Sequence, residues 1–583
     1  MDDERRATGR LTRRRFLGLA AGAAGLAGAA AAACSGGSKK NPPPRASAAG
    51  STSSASAALP SGTARAGSSQ RGETLTYTGY VASDGVYDPH KTFAPPFYGQ
   101  QAMVFSRLLS YTSQADGSLA PDLATSQPEQ PDAQTLVFHV NPNARWHDRA
   151  PLNGRLVTAD DIKFSFDRQT QGDASFVRKA EWANIDSITA SDPQTVTFKM
   201  KAPMAAMVEG FAAVNAFVVA PELVANGASF TLDTQIGSGP FRWVDWSEGH
   251  FASVSRNPRW HGGGDRPFLD GVNMMQPKNA SEIEAWLRTK KLDAAFVVRS
   301  DADRLKKAVP ELQESTIGHS LFFGMRFFVG AAPFDDQRLR TALSIALDRR
   351  DMLQRFFDGS GDVNPWVSWP VKRWTLPHAE LVTMPGYRPG TDGRDADIKD
   401  ARALLAAYTG DKKLPATLNL FVLDEAETNL KMGSTIRDQL KAALDLPVTV
   451  YPVTLKQLGA AQITSEYTWA AGQDIGWVDL DDWVYPYFHS SGTRNTFALR
   501  DPDLDKLIEA QRAELDETKR RAVGYDIQRK LLALNAGVNF VSETVVALRR
   551  SYVREFPLDI ADGYQHRFAD CWIDRTDPDF RGR

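Results

Sequence analysis

Strand-like and helix-like segments alternate from residue 74 to residue 534, and this alternation constrains the fold more than any other feature. Thr74-Leu75-Thr76-Tyr77-Thr78-Gly79 alternates and is rich in β-formers, the pattern of a half-buried strand. Leu136 to Val140, Ala294 to Val298, Leu418 to Leu423 and Val448 to Tyr451 are short apolar runs that predict further strands. Between them, Gln100–Leu109 places Met103, Val104 and Leu108 at helical spacing. Gln337–Leu347 does the same with Leu339, Ala342, Leu343 and Ala346, and Thr518–Leu534 with Ala522, Ile527, Leu531 and Leu534. Strands interleaved with helices imply an α/β architecture. With 583 residues, the chain exceeds the ~250–300 residues at which single cores stop growing, so two or three lobes are expected. No internal repeat is visible at the ~20–50-residue periods of solenoids.

Several helix ends are also legible. Thr158 precedes Ile162, Phe164 and Phe166, with Asp161 placed to reciprocate as a capping box. Ser281-Glu282-Ile283-Glu284 repeats the signal before Trp286-Leu287. Asp348 and Asp351 suit the first turn of a helix through Leu353, Phe356 and Phe357, with Gly359 as its stop. Arg338, Arg340 and Asp348 are read as support for this helix pair. Gly237-Ser238-Gly239-Pro240 is a turn. It is not a phosphate cradle, because neither a full G-x-G-x-x-G nor a P-loop lysine follows.

The N-terminus is processing sequence. Thr12-Arg13-Arg14-Arg15-Phe16-Leu17-Gly18 leads into an Ala/Gly/Leu run to Ala33, so residues 1–33 form an export signal. The run is weakly apolar for a permanent span; an uncleaved membrane anchor is the competing reading. Arg13 and Arg14, with Phe16-Leu17 after them, resemble a twin-arginine signal. Cys34 directly follows Ala31-Ala32-Ala33, which resembles a bacterial lipoprotein cleavage site whose thiol receives a diacylglyceryl group. Ala31 stands where that family usually has Leu, and plain secretion after an Ala-x-Ala cut is the alternative. Residues 34–72 are rich in Ser, Ala, Gly and Pro and form a flexible tether, lipid-anchored if Cys34 is acylated. Cys571 would then be the only remaining thiol, leaving no internal disulfide.

Composition excludes several functions. A net charge of −2, from 68 basic and 70 acidic residues, gives no pull toward nucleic acid. Two cysteines rule out a disulfide scaffold and a Cys-based zinc site, and the nine histidines show no tight ligand spacing. No cofactor is expected. Neither H-E-x-x-H nor G-x-S-x-G occurs, and His147-Asp148 and His489-Ser490-Ser491 are read as packing or surface residues. The plentiful carboxylates keep an exported hydrolase as a competing class.

Six segments, in order, resemble the family 5 extracellular solute-binding proteins, the receptors of peptide and nickel ABC importers. They are Leu119-Ala120-Pro121-Asp122-Leu123-Ala124; Trp146-His147 with Val157 to Ser165; Ile236-Gly237-Ser238-Gly239-Pro240-Phe241, followed by Arg256-Asn257-Pro258 and Phe268 to Gly271; Pro333 to Arg340, running to Arg349; Gly476-Trp477-Val478-Asp479-Leu480-Asp481-Asp482; and Asp501 to Ile508. The resemblance implies a type 2 periplasmic-binding-protein-like fold, with two lobes around a cleft and an extra domain. Lobe I would be discontinuous, at 73–107, 234–318 and 543–583; lobe II would be 108–233 and lobe III 319–542. It further implies a monomeric, non-enzymatic receptor that captures oligopeptides by hinge closure and delivers them to an ABC permease. An oligosaccharide or a metal complex is the alternative ligand, and a surface adhesin or sensor is the alternative role.

Residues 469–489 are the expected ligand region. They combine Trp469, Trp477, Trp483, Tyr485 and Tyr487 with Asp474, Asp479, Asp481 and Asp482. Aromatic rings supply contact area and a carboxylate can hold an ammonium group. In peptide-binding members of the family an Asp shortly after the Gly-Trp pair captures the peptide amine. Asp479 lies two positions after Trp477, one residue closer than in the common pattern, and Asp481 is its rival. Trp477, Trp483 and Tyr485 are the candidate walls. The competing reading is a solvated acidic loop that caps the following helix.

Overall fold

The computed structural model describes residues 69–580 other than 425–426 and 464–466. Arg13, Arg14, Cys34 and the tether through residue 68 lie outside the described residues. Among the described residues no helix is long and apolar enough to cross a membrane.

A mixed 11-stranded sheet forms the frame. Its order is Val448–Val453, Leu418–Leu423, Trp469–Asp474, Gln313–Phe327, Gly537–Arg549, Ala294–Val297, Thr74–Thr78, Gly271–Met275, Phe251–Arg256 and Phe241–Ser247, with Gly361–Val363 attached to Gly537–Arg549. Leu75 and Tyr77 point into the core at 0% and 2% exposure, as the alternation in the sequence requires. Two long antiparallel strands at the centre join the halves of this sheet. Residues 313–318 pair with 544–549, and 322–326 pair with 537–542, so the register slips between Gly318 and Phe322. The segment 319–321 is bulged out of the ladder. There the Ser320 amide and hydroxyl both donate to the Ile560 carbonyl, at 2.6 and 2.8 Å. The strand Ala294–Val297 attaches on one side of the slip and Trp469–Asp474 on the other. A bulge of this kind bends and twists a strand locally.

A separate 4-stranded antiparallel sheet is built from Glu129–Asp132, Thr135–His139, Thr195–Met200 and Ile185–Asp192. The helix Ala159–Gln171 covers it, started by the Thr158–Asp161 capping box. Phe166 is fully buried, with the rings of Trp182, Phe198 and Phe211 at 5.1, 5.2 and 5.2 Å. The turn 237–240 returns the chain to the larger sheet. The Gly239 amide donates to the Val104 carbonyl at 2.8 Å, and a Cβ on Gly237 would stand 2.0 Å from the same oxygen, so only glycine fits. His147 is part of this joint: its backbone amide donates to the Gly237 carbonyl and its Nε2 to the Gly239 carbonyl, and burial lowers its pKa to about 4.

Several element boundaries differ from the sequence reading, three of them for a visible reason. The helix expected over 100–109 runs Pro95–Val104, started by prolines, and Leu109–Ser113 is a strand. The helix expected to be capped at Ser281 begins at Ala280, because the Asn279 side chain accepts from the Glu282 amide. Helix Arg349–Phe357 ends in a left-handed Asp358, one residue before the expected Gly359. The support roles of Arg338, Arg340 and Asp348 hold. Arg338 pairs with Asp336 and Asp411, Arg340 donates to the Phe334 and Leu534 carbonyls, and Asp348 caps Arg349–Phe357.

Phe166→Ala should destabilise the chain by about 3–5 kcal/mol, the cost of emptying a packed aromatic site. Chemical denaturation of the variant against the parent checks this.

Candidate functional site

The helix Leu480–Phe488 is entirely buried. Asp479 is its N-cap and accepts from the Asp481 amide at 2.8 Å. The competing reading, a solvated acidic loop that caps this helix, is right about the cap, which is Asp479, but the acidic run is not solvated. Asp479, Asp481 and Asp482 are 3%, 3% and 5% exposed. Burying a charge is costly unless it is paired, and each carboxylate has its own guanidinium. Arg520 grips both oxygens of Asp479 at 2.7 and 2.9 Å. Arg512 Nε donates to Asp481 at 3.0 Å, and Gln511 bonds its other oxygen at 2.5 Å. Arg178 pairs with Asp482 at 2.8 Å.

These arginines tie three stretches of chain together. Arg178 lies between the helix Ala159–Gln171 and the strand Ile185–Asp192; Arg512 and Arg520 lie on Pro502–Ala513 and Glu517–Leu534. A further pair, Arg373–Glu209 at 2.9 Å, runs alongside, with Tyr111 donating to the same carboxylate at 3.1 Å. Burial pushes Asp479 up, but the Arg520 charge and hydrogen bonds outweigh it and hold the carboxyl below its usual range. Glu209 goes the other way: burial, then the Asp479 charge, raise it to about 7. Burial also raises Glu181 to about 7 against the opposing pull of Arg178. Glu181 keeps one buried oxygen without a hydrogen-bond partner. It borders a gap of about 10 Å³ beside Asp479, Asp481 and Asp482, room for about one water.

Trp477, Trp483, Tyr485 and Tyr487 share one apolar cluster. Trp477 Nε1 donates to the Tyr487 hydroxyl at 3.2 Å, Trp483 Nε1 to the Trp477 carbonyl at 3.0 Å, and Trp366 Nε1 to the Trp483 carbonyl at 2.7 Å. Trp483 is 0% exposed and packs on Phe322 and Trp366. Tyr485 is stacked against His489 at 4.4 Å, with the Arg512 guanidinium over its ring at 3.6 Å. Trp469 is a core residue in its strand, stacked on Phe327. Trp477 follows Gly476, where a Cβ would stand 2.1 Å from the Ser320 backbone, so this loop touches the bulge of the large sheet. Arg494 covers Trp477 from 5.1 Å, lies 4.7 Å from Phe93, and donates to the Tyr98 hydroxyl at 3.1 Å.

All five expected site residues are thus close together, and each is buried. The residues that the sequence did not single out are the arginines Arg178, Arg373, Arg494, Arg512 and Arg520, with Glu181 and Glu209. Their partners lie up to 396 positions away along the chain (Tyr98 against Arg494), so no local spacing announces them. Among the described residues no group of three or more His, Cys, Asp or Glu is placed to hold a metal ion. Among the described residues Cys571 is free and buried, and burial raises its pKa.

Residues 118–496 match the profile of the bacterial extracellular solute-binding proteins, family 5. The chain belongs to this family. It is 26% identical over 516 residues to protein XP55 of Streptomyces lividans, an alignment covering 84% of this chain and 86% of that protein. The oligopeptide-binding protein AppA of Bacillus subtilis, solved with a nonapeptide, superposes with a TM-score of 0.72 at 18% identity, covering 87% of this chain and 99% of AppA. AgaA of A. tumefaciens R10, solved with agropinic acid, superposes with a TM-score of 0.70 at 20% identity over 86% of this chain and 98% of AgaA. The architecture is therefore the α/β fold of the type 2 periplasmic-binding proteins, as the motifs had implied.

Glu181 holds its proton more tightly folded than unfolded. Its ionisation therefore removes stability as pH rises from about 4.3, the usual unfolded value, through about 7. Glu181→Gln should stabilise the protein at alkaline pH by roughly 1–3 kcal/mol and give no gain below about pH 4. Thermal melts of both proteins across pH check it.

Proposed function

We propose that this protein is an exported receptor, without catalysis of its own, that closes around short peptides and passes them to an ABC import permease. The observation that carries the reading is the double crossing at the centre of the large sheet. Two strands bridge its halves there, and their pairing changes register between Gly318 and Phe322 and again between Phe323 and Gly324. Paired strands interrupted over so short a stretch make a hinge, about which rigid halves can swing on a ligand. Ligand binding then draws the open form toward the closed one by its differential affinity.

We divide the lobes about this hinge. Lobe I comprises 73–107, 234–318 and 543–583, lobe III comprises 319–542, and the insert 108–233, which holds the 4-stranded sheet, is lobe II. The cleft lies between lobes I and III, where Trp477 and Arg494 face Phe93 and Tyr98. Trp477 and Tyr485 flank it and Trp483 packs behind. Asp479 is the carboxylate for a peptide amine, held in place by the Arg520 guanidinium; Asp481 is its neighbour in the same network. Relatives support peptides as the ligand class, since AppA was solved with a nonapeptide. AgaA, solved with agropinic acid, favours a second reading in which the same cleft takes another small solute. Export directed by Arg13 and Arg14 and a lipid on Cys34 would hold the receptor, as a monomer, at the outer face of the membrane.

Calorimetric titration with casein hydrolysate tests the amine role. Asp479→Asn should weaken binding at least about 30-fold, the loss of a desolvated charge contact, while melting as a folded protein. Unchanged affinity in both Asp479→Asn and Asp481→Asn would remove amine capture. For the anchor, Cys34→Ala should move the protein from the membrane fraction to the soluble exported fraction; an unchanged distribution would exclude the lipid.

A further inference from the structure

A strap of irregular chain, residues 559–563, lies against the bulge of the large sheet. It runs from the strand Val553–Arg554 toward the short helical turn Gln565–Ala569 and belongs to no ladder. Ile560 and Ala561 are 8% and 1% exposed. Buried backbone outside a ladder has to find other partners for its N–H and C=O groups, and here side chains supply them. Gln114, just beyond the strand Leu109–Ser113, is itself buried. Its Oε1 accepts from the Ile560 amide at 2.5 Å and from the Ala561 amide at 3.3 Å, and its Nε2 donates to the Ala561 carbonyl at 3.4 Å. Arg107 donates to the Gly563 carbonyl at 2.5 Å.

The remaining strap carbonyl at this level, that of Ile560, belongs to the bulge. It accepts from both the amide and the hydroxyl of Ser320, a residue with 0% exposure. The neighbouring His319 Nε2 stands 3.7 Å from Asp562 of the strap. Ser320 also meets Gly476, where a Cβ would stand 2.1 Å from the Ser320 backbone. Ser320 therefore touches both the strap and the loop that leads into Trp477.

On either side of 319–321 the two central strands bond each other. Within it the strap takes the place of the missing ladder partner. Turning the sheet halves about the bulge moves Ser320 against a strap that Gln114 and Arg107 hold from elsewhere. Hydrogen bonds weaken steeply once donor and acceptor lose alignment, so the two bonds to Ile560 are made at one hinge angle and lost at another.

We propose that residues 559–563 are a catch on the hinge, whose bonds to Ser320 favour the hinge angle of this structure over the other angle the receptor adopts. The catch rests on the bulge being the hinge, the reading proposed for it.

Pulsed electron-spin distance measurement on the full-length protein tests this, with labels on cysteines replacing Lys306 and Lys441. The comparison is made at the casein hydrolysate concentration where the parent shows two spacings in equal amounts. Ser320→Ala deletes the hydroxyl and keeps the amide bond. It should lower the ratio of this structure's spacing to the other about 2- to 10-fold, the net worth of one hydrogen bond, with an unchanged melting curve. Ser542→Ala is the control. Ser542 is also 0% exposed, but its hydroxyl has no hydrogen-bond partner, so this change should leave the ratio at one. A parent that moves while Ser320→Ala keeps its ratio would overturn the catch and leave the hinge standing. Equal shifts in both variants would trace the effect to lost packing and equally overturn it. A parent with one spacing at every hydrolysate concentration would remove the hinge, and the catch with it.

Discussion

The arrangement around helix Leu480–Phe488 depends on three carboxylates that cannot be buried alone. Asp479, Asp481 and Asp482 are consecutive or nearly so, and each is closed off from water. Their mutual repulsion and lost hydration have to be offset by Arg520, Arg512 and Arg178. Removing one partner from such a pair leaves a bare buried charge and costs about 3–5 kcal/mol, whereas the intact pair adds little net stability. The network therefore acts mainly on geometry: it fixes which helices and loops meet, and in which register.

That fixed geometry has a functional consequence. Arg178 and Glu209 belong to the stretch that carries the small antiparallel sheet, while their partners Asp482 and Arg373 belong to the stretch that carries one half of the large sheet. Arg494, covering Trp477 and bonded to Tyr98, reaches the other half. The bulge at 319–321 sits against Gly476, the residue before Trp477. The bulge therefore touches the loop that leads into the carboxylates. A receptor that must close on its ligand needs such a link between hinge and pocket.

How much of this was legible in the sequence varied with the range of the interaction. Leu418–Leu423 is a strand over the expected residues, and the Thr158–Asp161 capping box is present, because both are set by neighbours in the chain. The helix Pro95–Val104 was misplaced because Phe97 to Val104 are all buried, leaving no polar face to give a helical stripe. Asn279 outcompeted Ser281 as a cap through one side-chain bond to the Glu282 amide. The acidic run was recognised as special, but its arginines come from Arg178, Arg512 and Arg520, and no periodicity links residues so distant. Trp483 looked like a wall and is a core residue, since its indole N–H is used internally on the Trp477 carbonyl.

The central claim is that two halves of the molecule, joined by the strands Gln313–Phe327 and Gly537–Arg549, close around a peptide. Pulsed electron-spin distance measurement tests it most directly, with labels on cysteines replacing Lys306, on the helix Arg299–Ala308, and Lys441, on the helix Glu427–Leu444. Adding casein hydrolysate should shift the distribution to a single shorter and narrower distance. A distribution that does not change while calorimetry shows the peptides bound would contradict the account.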